Sequence, residues 1–249
     1  MNSKNPFDNK KVIIFDLDGT LIDTIGTWNE VDKTLINRLS EIPVDIENIH
    51  QMRDTALAKA KSNNIYLDYC NSLKEKFNLK MSPSEILNLR WKISDEYLKN
   101  IVEYKLNADK VLIKLKELGY RLALATTTGN RQIDAYVNYN KNIRNKAKLD
   151  EIFEIILTKE NVENKKPNPE VHYKVMEHFK VEPSECLIIE DSLIGVKAAK
   201  NSGVEVATIY DKYSDPNREE INKLTDYNFN TFDEILEILN WYELEVKVY

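Results

Sequence analysis

Two aspartates, one residue apart, follow the short apolar run VIIF near the amino terminus. Asp16 and Asp18 are followed at once by Gly19 and Thr20. Buried carboxylates cost several kcal/mol unless they are paired or bind a metal, so such a pair needs a reason. A strand that ends in an Asx-type turn is the ordinary interpretation. The chemical one is a nucleophile and a general acid/base beside one metal ion.

Three further sets of polar residues follow other apolar runs or stand in a nearby loop. Thr126 follows LALA, Lys166 stands in KKPNPE, and Glu190 with Asp191 follows LII. Each has an ordinary role of its own, as a turn or cap former, a solvated lysine or a helix cap. In a doubly wound sheet, however, the ligand site lies outside the carboxyl ends of the strands. We therefore expect these residues to meet at one site.

The elements that must position these residues alternate between strand and helix. Apolar runs predict strands over residues 11–16, 120–125, 152–157, 186–189 and 204–209. Helical patterns lie between them, at 109–118, 169–179 and 195–200. This order predicts an α/β fold with a doubly wound, Rossmann-like parallel sheet.

Residues 25–104 show helical periodicity without a convincing strand, which predicts an inserted all-helical domain. The α/β core then comprises residues 1–24 and 105–249. Within the inserted domain, Ser82, Pro83 and Glu85 have the spacing of a helix start with a capping box. The Asn- and Lys-rich stretch over 138–148 is expected to be a solvated loop or a fraying helix.

Composition limits the classes of partner. The 249 residues carry a formal charge of −6, which argues against a nucleic-acid-binding surface. The longest apolar runs are far too short to cross a bilayer, and the first residues lack a signal-peptide core. Cys70 and Cys186 have no metal-type spacing, and the three histidines form no metal-binding pattern. We expect a cytoplasmic protein with reduced thiols and no membrane or nucleic-acid partner.

The four motifs together resemble those of the haloacid dehalogenase superfamily, specifically its β-phosphoglucomutase-like phosphatase branch. The matching stretches are VIIFDLDGT, LALAT, KKPNP and LIIEDSLIGVKAAKNSG. The resemblance implies that Asp16 is the nucleophile, that Asp18 is the general acid/base, and that Thr126 and Lys166 hold the phosphate and the nucleophile. It also implies Mg²⁺, held by Asp16, the backbone carbonyl of Asp18, Glu190 and Asp191.

The resemblance implies that the inserted helical domain, residues 25–104, is the cap of the enzyme, and it extends to the substrate. Gly19, Thr20 and Thr127 are expected to contact the phosphate. Trp28 and Arg53 are the candidate substrate contacts of the cap, although a core aromatic and a surface charge are the ordinary interpretations of these two residues. The departures from the family pattern are LNAD in place of a Pro-Gly turn and the missing glycine near Arg53.

The expected function is a Mg²⁺-dependent phosphatase that hydrolyses a small phosphorylated metabolite, such as a sugar phosphate, through an aspartyl-phosphate. The protein would be a monomer or a homodimer. A β-phosphoglucomutase uses the same intermediate and is the nearest alternative. A phosphate-binding or phospho-accepting regulator without turnover is more distant. A dehalogenase is disfavoured, because the resemblance would then demand the loss of Asp18.

Overall fold

The computed structural model describes residues 5–59 and 64–246. The chain divides into two compact units. The larger unit comprises Met1–Asp23 and Val102–Tyr249, and the smaller unit comprises Thr24–Ile101. The smaller unit is therefore an insertion in the sequence of the larger one. Its role as a cap stays a prediction.

The larger unit is built on a six-stranded sheet in which every neighbouring pair is parallel. Its strands are β1 (Val12–Phe15), β2 (Arg121–Ala125), β3 (Ile155–Leu157), β4 (Cys186–Glu190), β5 (Glu205–Ile209) and β6 (Tyr227–Phe229). Their order across the sheet is β3-β2-β1-β4-β5-β6. This order confirms the predicted doubly wound α/β fold.

Strand β1 lies between β2 and β4, and the register brings the carboxyl ends of the three strands level. Phe15 pairs with Leu124 on one side and with Ile189 on the other. Every residue of β1 and β4 is buried, which explains the apolar runs VIIF in β1 and CLII in β4, before Glu190. The residues that follow these strands lie side by side at the point where the strand order reverses.

In the described residues of the inserted unit, all regular secondary structure is helical, as predicted. Its helices are α1 (Ile25–Leu39), α2 (Ile46–Lys59), α3 (Ile65–Phe77) and α4 (Pro83–Asn100). The predicted capping box begins α4: the Ser82 hydroxyl accepts from the Glu85 backbone N–H at 3.3 Å, and the Glu85 carboxylate accepts from the Ser82 backbone N–H at 2.8 Å. The apolar faces form one core, which includes Val31, Leu35, Tyr69, Leu73, Ile86 and Ile93.

Helices pack on the sheet of the larger unit. They are α5 (Ala108–Glu117), α6 (Asn130–Asp134), α7 (Lys141–Arg144), α8 (Leu149–Ile152), α9 (Glu170–Phe179), α10 (Leu193–Asn201), α11 (Arg218–Leu224) and α12 (Phe232–Val246). Alternate residues of β1, Val12 and Ile14, share one buried cluster with Val175 of α9 and Val196 of α10. This packing fixes α9 and α10 against the central strands.

The segment between β2 and β3 differs most from the sequence prediction. A solvated loop or fraying helix is expected over 138–148, but helical turns occupy this stretch, and Asn140 and Ile143 are fully buried. The Asn140 side chain accepts from the Ile143 backbone N–H at 2.9 Å and donates to the Val102 backbone oxygen at 2.8 Å. The prediction of a solvated surface is therefore wrong here, because this asparagine caps α7 inside the protein.

Two strands of the sheet also differ from the prediction. The strand expected over 152–157 is shorter, because Ile152 ends α8, and β6 was not predicted. At the other end of the chain, α12 includes the start of the stretch WYELEVKVY, whose last three residues lie outside the described part. Within the described ranges, no helix is both long and apolar enough to cross a membrane.

Candidate active site

Lys166 joins the residues that follow the central strands. Its ammonium donates to Asp16 (Nζ to Oδ1, 2.7 Å), to Glu190 (Oε1, 2.5 Å) and to the backbone oxygen of Ala125 (2.9 Å). These contacts use all three donors of the ammonium. Asp16 follows β1, whereas Ala125 ends β2 and Glu190 ends β4. One lysine from the loop after β3 therefore ties three strand ends together.

Burial dominates the electrostatics of this site. Burial raises the pKa of Asp16 to about 7, with Lys166 offsetting part of the effect and Glu190 adding to it. Burial also raises the pKa of Asp191, and repulsion from Glu190 adds to the shift. For Lys166, burial works against the charge, but the attraction of Asp16 and Glu190 outweighs it and raises the pKa. The lysine stays charged, whereas the carboxylates repel one another.

Asp16, Glu190 and Asp191 form a buried cluster that we call the carboxylate site. One oxygen from each lies within 4.8 Å of the others. Three ionised carboxylates (−3) and Lys166 (+1) sum to a net charge of −2. A set of oxygen donors with excess negative charge suits a hard divalent cation. The residues present therefore fit Mg²⁺.

Two glycines make room for these carboxylates. Gly19 has φ +86°, and a Cβ there would lie 2.9 Å from Asp191 Cγ. Next to it, the Thr20 hydroxyl donates to Asp191 Oδ1 at 2.7 Å. A Cβ on Gly195, in the first turn of α10, would clash with the Glu190 carboxylate. The glycines of the first and fourth motifs are thus required by the close packing of the acids.

The three threonines after β2 have different surroundings. Thr126 is buried, and its hydroxyl accepts from the backbone N–H of Thr128 at 3.0 Å. Thr127 is exposed. The Thr128 hydroxyl donates to Asp18 Oδ2 in a close contact. Sequence reasoning missed Thr128, because its only signal is the third position of a run of identical residues.

The cap candidates of the inserted unit belong to a second buried group, which we call the arginine cluster: Asp32, Arg53 and Arg90. Arg53 is 8% exposed and donates to Asp32 (Nη1 to Oδ2, 3.3 Å). Arg90 donates to both oxygens of the same carboxylate, at 2.6 and 3.2 Å. The half-buried Trp28 lies 4.7 Å from the Arg90 guanidinium. The interpretation of Arg53 as a surface charge is therefore wrong.

His172, to which sequence reasoning assigned no function, is completely buried. Neither ring nitrogen has a hydrogen-bond partner within the described part of the chain. Burial lowers the pKa of His172 well below its usual value, and the charge of Lys166 adds to the effect. The imidazole is therefore neutral and lies within the electrostatic influence of Lys166.

Comparisons with known proteins identify relatives along most of the chain. Residues 13–209 match the profile of a family described as Haloacid dehalogenase-like hydrolase. The Glyceraldehyde 3-phosphate phosphatase of Pyrococcus furiosus is 28% identical over 235 residues, which is 92% of each chain. The Phosphorylated carbohydrates phosphatase of Thermotoga maritima is 27% identical over 195 residues, covering 78% of this chain and 82% of the relative.

A solved structure has the same fold. The putative beta-phosphoglucomutase from Thermotoga maritima superimposes with a TM-score of 0.73 at 22% sequence identity. The match covers 94% of this chain and 98% of the other. At this identity the likeness concerns the fold, and it includes the residues of both compact units.

Proposed function

Because the chain belongs to the family of haloacid dehalogenase-like hydrolases, we propose that it is a Mg²⁺-dependent phosphatase acting on a small phosphorylated metabolite through an aspartyl-phosphate on Asp16. The phosphatase activity is supported by the names of relatives along most of the chain. The observation that carries the finer proposal is the bonding of Lys166 to Asp16 and Glu190 beside Asp191.

Charge balance supports phosphoryl chemistry at this site. A phosphate monoester dianion repels a carboxylate nucleophile, so the site must cancel charge before attack. The net charge of −2 on the carboxylate site and Lys166 equals the charge that one Mg²⁺ would neutralise. Asp16 and Asp191 would hold the ion with help from Glu190 and the backbone carbonyl of Asp18. Bound Mg²⁺ supplies the positive charge that stabilises the transferring phosphoryl group.

In the first half of the reaction, the Asp16 carboxylate attacks the phosphorus of the substrate. A bond from Asp16 to phosphorus forms while the bond from phosphorus to the ester oxygen breaks. Asp18, as the carboxylic acid, gives its proton to the departing oxygen. Lys166 and Thr126 hold the nucleophile and the phosphate, while Gly19, Thr20 and Thr127 offer further contacts to the phosphate oxygens.

In the second half, water releases the phosphate. The water oxygen bonds to phosphorus, the bond from Asp16 to phosphorus breaks, and the Asp18 carboxylate takes a proton from the attacking water. Free enzyme and inorganic phosphate result. The two aspartates after β1 thus divide the work: Asp16 carries the phosphoryl group, and Asp18 moves the proton in both directions.

For substrate choice, we propose Arg53 and Trp28 as contacts from the inserted unit, which acts as the cap. Asp32 and His50 fix the Arg53 guanidinium. Its Nη1 lies 3.3 Å from Asp32 Oδ2, and its Nη2 lies 3.2 Å from His50 Nδ1. A cation held in this way is suited to a polar or anionic group of the substrate. A sugar phosphate or a similar metabolite has such groups, and the carbohydrate and triose phosphate phosphatases named above support this class.

The proposal includes the cellular compartment and the oligomeric state. Cys70 and Cys186 are buried free thiols, which fits a reducing compartment such as the cytoplasm. The enzyme would work as a monomer or a homodimer on a diffusible metabolite.

Phosphorus NMR with a panel of sugar phosphates tests this function, in Mg²⁺ and in a chelator. The panel includes β-glucose 1-phosphate with a trace of the bisphosphate. We expect inorganic phosphate to appear with Mg²⁺ and not with the chelator. Glucose 6-phosphate without inorganic phosphate would identify a mutase instead. Binding of Mg²⁺ with no change in any substrate would favour a regulator without turnover.

A further inference from the structure

The loop after β2 reaches the general acid/base through Thr128. The Thr128 hydroxyl donates to Asp18 Oδ2, which joins this loop to the one after β1. The Thr128 backbone is fixed at both ends: its N–H donates to the Thr126 hydroxyl at 3.0 Å, and its oxygen accepts from the Lys159 N–H at 3.2 Å. The hydroxyl is therefore presented to Asp18 by a loop with defined geometry.

A second hydroxyl-bearing residue of the same segment is close enough to feel the charge of Asp18. Tyr136 is buried in a π-helical turn, Ala135–Tyr139, that directly continues α6. Its phenol has a raised pKa, mainly through burial, with the negative charge of Asp18 adding to the shift. A π-helical turn inside an α-helix is frequently found at functional sites. Of the two hydroxyl-bearing residues, Thr128 is the one whose hydroxyl contacts Asp18.

A hydroxyl group suits a residue that changes protonation state during the reaction. It can donate its one hydrogen to a carboxylate, and its lone pairs can accept from a protonated carboxyl. A lysine or arginine can only donate, and would favour the carboxylate alone. Asp18 must be an acid in the first half-reaction and a base in the second, so a neutral hydroxyl that is compatible with both protonation states suits it better than a cation.

We propose that Thr128 is a positioning residue for Asp18, holding its carboxyl group in the reactive orientation in both protonation states. The inference rests on the proposed function, because Asp18 transfers protons only in the phosphatase reaction proposed above. Thr128 does not itself touch the reacting atoms. By orienting Asp18, it assists both the proton transfer to the leaving oxygen and the proton transfer from water.

The test compares two substrates whose leaving groups differ in their need for a proton. An alkyl phosphate, such as a sugar phosphate hydrolysed by the wild type, needs protonation of its leaving oxygen, whereas p-nitrophenyl phosphate releases a stable phenolate. In Thr128→Val, we expect kcat/KM for the sugar phosphate to fall by about 10- to 100-fold, because the general acid is misplaced. For p-nitrophenyl phosphate, kcat/KM should change by no more than about threefold, since this phenolate leaves without a proton.

Two further variants complete the experiment. Thr128→Ser keeps the hydroxyl and should restore the ratio of the two kcat/KM values, and Thr128→Ala replaces the valine variant if that one does not fold. Thr225→Val removes a similar hydroxyl, which donates to Asn228 Oδ1 at 2.8 Å near β6, and should leave both substrates unaffected.

The failure of this inference differs from the failure of the proposed function. A wild-type enzyme that hydrolyses the sugar phosphate, with an unchanged ratio in Thr128→Val, would overturn the role of Thr128 alone. Equal losses on both substrates, or no rescue by serine, would also overturn it. A wild-type enzyme that releases phosphate from no substrate would contradict the function itself.

Discussion

The carboxylate site and the arginine cluster are both buried groups of unbalanced charge, but of opposite sign. With its three carboxylates ionised, the first group and Lys166 sum to −2, and two guanidiniums with Asp32 sum to +1 in the second. Burying unbalanced charge is costly, so each group needs a compensating interaction. The sign of the excess indicates the kind of group that can supply it.

The arginine cluster already has part of its compensation. The Arg90 guanidinium lies over the Trp28 ring at 4.7 Å, with three further aromatic rings within 6 Å: Tyr66, Tyr69 and Trp91. Such faces stabilise a buried cation. In the carboxylate site, the acids raise one another's pKa instead. Arg90 therefore has partners within the inserted unit that stabilise its charge, whereas the carboxylate site keeps an excess of negative charge that a bound cation would compensate.

The largest expected effect is on catalysis at the carboxylate site. Asp16→Asn should lower the rate of phosphate release by at least about a thousandfold, because the nucleophile is lost. The amide keeps the size of the carboxylate, so the protein should fold as before. Phosphate release and thermal unfolding measure the two effects. Asp150→Asn, on the exposed surface of α8, is the control with unchanged activity. Retention of wild-type turnover in Asp16→Asn would refute the assignment.

The second largest expected effect is on the free energy of unfolding, after a substitution in the arginine cluster. Asp32→Asn leaves two buried guanidiniums without their shared carboxylate, and should lower the free energy of unfolding by about 3 kcal/mol or more. Glu96→Gln, which removes a carboxylate 3.8 Å from Arg38 on the exposed surface, should change it by less than about 0.5 kcal/mol. Urea unfolding measures both. Equal small effects would show that the arginine cluster needs no internal counter-charge.

In the carboxylate site, a similar Asp-to-Asn substitution should raise the free energy of unfolding instead of lowering it. Asp191 has a raised pKa in the folded protein, so its ionisation at neutral pH opposes folding. Asp191→Asn should therefore raise the free energy of unfolding by about 1 kcal/mol in a chelator. Mg²⁺ should stabilise the wild type and have less effect on the variant. Urea unfolding with and without Mg²⁺ checks this. A destabilised variant in the chelator would break the contrast with Asp32→Asn.

The smallest effect concerns the neutral His172 near Lys166. Its pKa is lower in the folded protein than in the unfolded chain, so below about pH 6.5 only the unfolded chain binds this proton and stability falls. In His172→Leu, the loss of stability between pH 7 and pH 5 should be smaller by about 1 to 2 kcal/mol. Urea unfolding at the two pH values measures it, with His178→Gln on the exposed side of α9 as the control. Equal acid sensitivity in wild type and His172→Leu would show that His172 is not held neutral.

The strands other than β6, and the three acids of the carboxylate site, were predictable because their signals are continuous in sequence. Runs such as VIIF form buried central strands, and parallel strands bring their carboxyl ends to one edge. Strand β6 has three residues, none of them fully buried, and gives no such signal. At Asn140 the sequence signal pointed the wrong way: the stretch is polar and predicts exposure, but the structure buries this asparagine as a helix cap.

The arginine cluster was not predictable for a different reason. Asp32, Arg53 and Arg90 come from three helices, and no local pattern indicates that they will meet. Arg53 by itself has the features of a surface charge. Thr128 was similarly concealed, because a run of threonines after a strand is compatible with a simple turn. Contacts between distant elements decide the role of such residues.

The most direct test of the account is mass spectrometry of acid-quenched Asp18→Asn enzyme after mixing with Mg²⁺ and a substrate found by the NMR panel. This variant should accept phosphate and release it slowly, so the intermediate accumulates. The account predicts one added phosphoryl group on the peptide that contains Asp16. A phosphoryl group on another residue, or phosphate released with none bound at Asp16, would contradict it.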